Sequence, residues 1–363
     1  MLETDEVAQL LQTKNPEEAK SLFRSLFFSK LKPYSGLGDI STFSWLKEAS
    51  WGGLVECVRA MDGLPYFVVG DSHSYHYVRN PQFEAQWLAP LPIYYYGCTA
   101  HSLSDERASS NAGPKILHWA QTIAQDDRND DTPIFLKFGG MDAELTWLAH
   151  RFNHGMHQSL VADFDTHARH SITQYESFLH KLGNVIDRKQ LKICSVFPAS
   201  IESTDFENRI TAIMGLNEDQ RASLVNFEQP LLLERTILRG RYNDHMRDMC
   251  DRQELTFVDD YSPLLDSNGN TDSPYRAATG DHHTNYGATE KALVEVIQNV
   301  VLPACDHEPS VKLELSVNKK TLSLLLTTLP EVQIVEPQIP QQSTVDVTMI
   351  NMQLIQSQLS NFE

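Results

Sequence analysis

No stretch of this 363-residue chain approaches the roughly 20 consecutive apolar residues of a membrane span, so no bilayer crossing is expected. Basic residues are scarce. Lys and Arg number 30 against 48 Asp and Glu, a formal charge of −18 that argues against nucleic acid or an anionic membrane surface as the main partner. Cysteines are few. The five (57, 98, 194, 250, 305) are scattered, odd in number and never spaced Cys-x-x-Cys, which favours free thiols in a reducing compartment over a disulfide framework. The opening Met-Leu-Glu-Thr-Asp-Glu-Val has neither the basic nor the apolar region of a secretion signal, and cytoplasmic residence is the expectation. Repeats and low-complexity tracts that would change the fold class are also lacking. An ordinary hydrophobic content of 41% fits a globular protein with one large core or two domains.

The most informative stretch is residues 66–74, Tyr-Phe-Val-Val-Gly-Asp-Ser-His-Ser. An apolar run of buried-strand character stops at a tight Gly70-Asp71-Ser72 turn. Such a turn leaves the serine hydroxyl at the carboxyl edge of a sheet, where open α/β sheets place their ligands. A serine there can act as a nucleophile if the chain supplies a base and an oxyanion pocket. Gly-Asp-Ser alone more often marks an ordinary turn. A second signature follows at Asp281-His282-His283-Thr284-Asn285-Tyr286-Gly287-Ala288, which opens an amphipathic stretch with Leu293, Val296, Ile297 and Val300 at helical spacing. Asp and His just before a helix can present an imidazole held by a carboxylate, the orienting arrangement of a hydrolytic triad.

With both ends present, the chain resembles the SGNH/GDSL hydrolase superfamily. Gly70-Asp71-Ser72-His73-Ser74 matches its first block and Asp281 to His283 its last, and the resemblance covers residues 64–302. It implies a three-layer α/β/α fold with a mainly parallel, flavodoxin-like sheet, and a serine esterase or O-acyltransferase that needs no cofactor or metal. Ser72 would be nucleophile, His283 base and Asp281 its orienter, with the N–H groups of Ser72 and Gly97 binding the oxyanion. Gly97 closes the strand-like run Pro92-Ile-Tyr-Tyr-Tyr-Gly97. A third strand, Pro133-Ile-Phe-Leu-Lys-Phe, runs into Gly139-Gly140-Met141-Asp142. The family's asparagine, a third oxyanion donor, is here matched by Asp142.

That departure matters because a carboxylate would repel a developing oxyanion unless it is protonated or turned away, for instance onto a helix N-terminus or a nearby His. Gly139-Gly140-Met141-Asp142 is similar to the Gly-Glu-Ile-Asp-like sequences of carbohydrate-linked bacterial relatives. In the last block the common Asp-x-x-His is absent, residue 279 being Thr, and Asp281-x-His283 resembles the Asp-x-His of the alginate-acetylation branch. His282 stays open as an alternative base. The family implies a short acyl, O-acetyl-type ester on a carbohydrate or polyol as substrate, with water or another hydroxyl as acceptor.

Alternation of strands and helices from residue 64 predicts a parallel sheet covered on both faces. Strands are expected at 65–70, 92–97, 133–139, 191–197 and 255–259. Helices are expected near 114–125, through 183, around 205–252 and from 287 to 301. We divide the chain into a helical N-terminal extension (1–60), a hydrolase domain (61–305) and a small β-rich C-terminal appendage (306–363). In the extension, Asn15-Pro16-Glu17-Glu18 starts a helix whose Leu22, Phe23, Leu26 and Phe27 pack on the core, and Trp45 and Trp51 flank a second helix. In the appendage, Val311, Leu313, Leu315 and Val317 alternate with polar residues. It could serve a protein partner or self-association.

Rival readings remain. Asp71-x-His73 also fits the opening of a metallophosphoesterase site, with Asp281 to His283 as companion, but the further ligands such enzymes need are missing. His150, His154 and His157 share a helix face without a Glu between them, and among 14 histidines such spacing arises easily; His167 and His170 deserve the same caution. Asp259 and Asp260 read as a solvated strand end. Trp119, Trp147 and Tyr94 to Tyr96 read as core or cleft wall. The third- and last-block departures also leave open a non-catalytic binding protein on a hydrolase scaffold.

Overall fold

The computed structural model describes residues 16–30, 40–41, 51–78, 87–95, 97–108, 110–149, 160–202, 231–277 and 283–302. Its centre is a six-stranded sheet: β1 (Ile40–Ser41), β2 (Leu64–Gly70), β3 (Leu88–Tyr94), β4 (Ile134–Lys137), β5 (Leu191–Cys194) and β6 (Thr256–Val258). The spatial order is β1-β3-β2-β4-β5-β6. Five strands run parallel, and the two-residue β1 pairs antiparallel with β3. Helices cover both faces, so the α/β class expected from alternation is the class observed. The appendage expected at 306–363, the stretch 205–230 and His150, His154 and His157 lie outside the described residues.

β2 is buried along almost its whole length, as a strand roofed on both faces must be. From β2 the chain crosses to β3 on one side and later to β4 on the other. The carboxyl end of β2 is therefore the topological switch point, where neighbouring connections part and leave a crevice. Gly70 pairs with Tyr94 and with Lys137 at this end. A Cβ on Gly70 would lie 2.4 Å from the Lys137 carbonyl oxygen, so only glycine fits.

Six helices of eight or more residues surround the sheet among the described residues: α1 (Pro16–Lys30), α2 (Trp51–Ala60), α3 (Ala112–Ile123), α4 (Leu160–Gly183), α5 (Leu232–Gln253) and α6 (Tyr286–Val301). α1 begins at the expected proline. Its Phe23 and Phe27 are buried against Trp87, with ring centroids 6.1 and 5.7 Å away in edge-to-face contact. A helix starts at Trp51, which packs edge-on to Phe67 of β2 at 5.6 Å; residues 42–50, where a helix flanked by Trp45 and Trp51 is expected, lie outside the described residues. Trp119 meets the same Phe67 at 5.3 Å and so is core. Cys57, Cys98, Cys194 and Cys250 are free and buried. No helix among the described residues is long and apolar enough to cross a membrane.

Because α1 is anchored by aromatic burial, Phe27→Ala should cost about 3–5 kcal/mol, the range for truncating a buried phenylalanine. Urea unfolding would check this; a loss below about 1 kcal/mol would mean that the helix is not docked in solution.

Candidate active site

Asp71 caps a short turn, Ser72–Tyr77, at the end of β2. Its Oδ1 accepts from the His73 backbone N–H at 2.9 Å, and its own N–H donates to the Lys137 carbonyl at 3.1 Å. This is the tight turn predicted from Gly-Asp-Ser. It places Ser72 at the edge, 6% exposed.

His283 arrives from the far end of the chain. Asn285, two residues later, caps α6 through a side-chain bond from the Ala288 N–H. The Asn285 N–H donates to the Tyr275 carbonyl, and Thr284 Oγ1 lies 3.2 Å from His76 Nε2. Between these ties, His283 Nε2 stands 2.7 Å from Ser72 Oγ. Two residues 211 apart in sequence are within hydrogen-bond distance at the switch point. Asp281 and His282 lie outside the described residues.

Gly97 follows β3 in a turn with φ +66°, and the Tyr95 N–H donates to the Gly70 carbonyl, so this turn is stitched beside the serine turn. Asp142 is buried at the start of a π-helical turn, Asp142–Thr146. Its Oδ2 accepts from the Ala100 N–H at 2.7 Å, and its Oδ1 from the His101 N–H at 3.2 Å and the Ser171 hydroxyl at 2.6 Å. The carboxylate is thus turned onto the first N–H groups of the short helix His101–Ser104. Both oxygens are occupied as acceptors, so the side chain offers no donor to an oxyanion. Burial pushes its pKa up, opposed by Ser171, His101 and these backbone N–H groups.

Several residues at the site had no sequence signal. Lys137, wholly buried on β4, sends its ammonium 2.6 Å from Asp260 Oδ2, to the Ser195 carbonyl, and over the Phe197 ring at 3.4 Å. Asp260 also accepts from the Ser195 and Tyr77 hydroxyls. The reading of Asp260 as a solvated strand end is therefore corrected: it is fully buried and bonded to a cation, the arrangement a buried carboxylate requires. Burial raises its pKa and Lys137 opposes the rise. A second buried pair joins Glu144 to Arg239 at 2.6 Å, and Arg239 donates to the Phe197 and Pro198 carbonyls, fixing the loop after β5.

Asp71 and His73, the Asp-x-His of the metallophosphoesterase reading, bond to each other, Oδ1 to Nδ1, at 3.1 Å. Among the described residues no three His, Cys, Asp or Glu gather as a metal would need. His167 Nε2 lies 3.2 Å from Thr146 Oγ1, and His170 packs against His101 at 5.1 Å.

No family model and no curated protein matches this chain. Solved structures do. A GDSL-like lipase from Bacteroides thetaiotaomicron is 13% identical, covering 72% of this chain and 98% of its own, at a TM-score of 0.37. The periplasmic domain of a lipopolysaccharide acetyltransferase from Salmonella Paratyphi A is 9% identical, over 72% of this chain and 98% of that one, at 0.39. The OSK domain of Drosophila Oskar is 13% identical over 65% of this chain and 88% of its own, at 0.30. With such scores, the geometry of the site carries the argument from here.

Two outcomes follow from the carboxylates. Asp142→Asn puts an amide N–H₂ where an oxygen accepts, facing a backbone N–H or the Ser171 hydroxyl. It should destabilise the protein by about 1–3 kcal/mol and lower turnover of a short ester, both read on the purified variant. A gain in turnover would mean that the carboxylate obstructs an oxyanion pocket. For Asp71, burial raises the pKa from 3.8 to about 6, opposed by the His73 N–H, Lys137 and His283. A carboxyl raised on folding binds more protons folded than unfolded between those values. Its contribution to stability is full below about pH 4 and is lost as pH rises through about 6. Relative to Asp71→Asn, wild-type stability should fall by about 3 kcal/mol across that window. Parallel stability–pH curves for the two proteins would refute the shift.

Proposed function

We propose that the chain hydrolyses or transfers a short acyl ester through a serine acyl-enzyme. The observation that carries this reading is the 2.7 Å approach of Ser72 Oγ to His283 Nε2 at the carboxyl edge of β2. A serine hydroxyl becomes a competent nucleophile when an imidazole can take its proton as attack proceeds. Ser72 donates its proton to His283 Nε2 and attacks the ester carbonyl. His283 then returns the proton to the departing alkoxide. In the second half His283 activates water or an acceptor hydroxyl, which takes the acyl group from Ser72.

The oxyanion is assigned to the N–H groups of Ser72 and Gly97, whose turns lie side by side at the ends of β2 and β3. Asp142 supports this pocket from behind by holding Ala100 and His101, just past the Gly97 turn. Asp281 keeps its proposed role as orienter of His283. The narrower reading, an O-acetyl-type group on a carbohydrate or polyol, rests on the sequence resemblance of the first, third and last blocks, and cytoplasmic residence rests on composition alone.

Ser72→Ala should lower turnover of p-nitrophenyl acetate by at least about 10³-fold and abolish labelling by a fluorophosphonate. Undiminished turnover would overturn the mechanism. Absence of label on folded wild type would favour a binding protein on a hydrolase scaffold.

A further inference from the structure

The serine turn carries a second carboxylate–imidazole pair that the mechanism above leaves unused. Asp71 and His73 flank the nucleophile, and both are nearly inaccessible, at 1% and 2% exposure. Asp71 Oδ1 meets His73 twice, through the backbone N–H at 2.9 Å and through ring Nδ1 at 3.1 Å. Asp71 Oδ2 has no hydrogen-bond partner among the described residues. The polar contacts of this carboxylate thus all pass to one residue. A buried carboxyl costs free energy unless it is well bonded, so a site that keeps one half-satisfied uses it for something other than stability.

The His73 ring is itself wedged. It lies 4.9 Å from the His283 ring, tilted by 49°, and 6.1 Å from the Phe197 ring. Its third wall is backbone, because a Cβ on Gly140 would fall 2.8 Å from His73 Cε1 and Nδ1. His283 also stacks on Tyr286, at 5.8 Å and 30°. Tyr286 in turn stacks on His76, at 4.6 Å and 19°, and His76 meets Phe197 at 5.0 Å. The imidazole proposed to receive the serine proton therefore packs against a second imidazole and a phenol, with Phe197 closing the ring of contacts.

We infer that His73, anchored by Asp71, is a positioning residue that fixes the His283 ring so that its Nε2 stays on the Ser72 hydroxyl. The inference rests on the proposed role of Ser72 and His283. Asp71 holds Nδ1 of His73, and the rings of His73 and Tyr286 both limit rotation of His283. A general base that swings by a fraction of an ångström loses proton transfer before it loses substrate.

The test is a cycle on p-nitrophenyl acetate with wild type, Ser72→Ala, His73→Ala, Asp71→Asn and the double variant His73→Ala with Asp71→Asn. His73→Ala should lower kcat by about 10²-fold with KM within about twofold, and slow fluorophosphonate labelling in parallel. His73→Phe keeps the ring and should recover part of that loss. Because Asp71 acts through His73, adding Asp71→Asn to His73→Ala should cost nothing further in kcat. Thermal unfolding of each variant separates loss of fold from loss of positioning, and His73→Asn, smaller but polar, serves if the alanine variant does not fold. Additive effects, or a raised KM with unchanged kcat, would overturn the inference while leaving the serine mechanism standing. Undiminished turnover in Ser72→Ala would overturn the mechanism itself, whatever the His73 variants do.

Discussion

The carboxyl end of the sheet is held by one buried charge pair. Lys137 and Asp260 sit at the ends of β4 and just past β6, 123 residues apart, and meet beneath the serine turn. Neither ion could be buried alone, because desolvation would cost several kcal/mol for each. Together they bind the Ser195 carbonyl and hydroxyl after β5 and the Tyr77 hydroxyl at the end of the Ser72–Tyr77 turn. Three strand ends and the serine turn thus share one polar knot. The Lys137 ammonium also covers Phe197, whose ring touches both His73 and His76. The geometry of the sheet's carboxyl edge depends on this pair staying dry and matched.

The parts legible in the sequence were those set by local pattern. The apolar run ending in Gly70, the amphipathic stretch after residue 285 and the proline start of α1 each announced their element within a residue or two. β3 was misplaced. It begins at Leu88 rather than Pro92, because Pro90 and Pro92 argue against a strand. They are tolerated here since β1 pairs only with Ile93 and Tyr94, leaving the rest of that edge open among the described residues. β1 itself, two residues long, carries no pattern to read. Ser72 and His283 were legible because each sits in a local motif. The partners of Asp142 were not, since Ala100, His101 and Ser171 come from turns and helices 29 to 42 residues away. Lys137 read as one polar residue in an apolar run. Only the folded sheet shows that its side chain ends on a carboxylate.

Asp142 shows how a buried carboxylate is accommodated at a sharp turn: it is satisfied as an acceptor by two backbone N–H groups and a hydroxyl. The Ser171 hydroxyl continues to Tyr242 at 3.1 Å, whose ring packs against the position of Gly139. The third-block turn and the turn after β3 are therefore tied through side chains rather than through sheet hydrogen bonds.

The span of the dyad has a consequence for how the protein matures. Ser72 opens the turn that follows β2, whereas His283 lies just before α6, which comes after every strand of the sheet in chain order. The serine turn is itself tied to the Lys137 carbonyl of β4 and, through Tyr77, to Asp260 past β6, so both halves of the pair depend on an assembled sheet. On the proposed serine mechanism, reactivity of Ser72 would begin only once α6 has docked on the completed sheet.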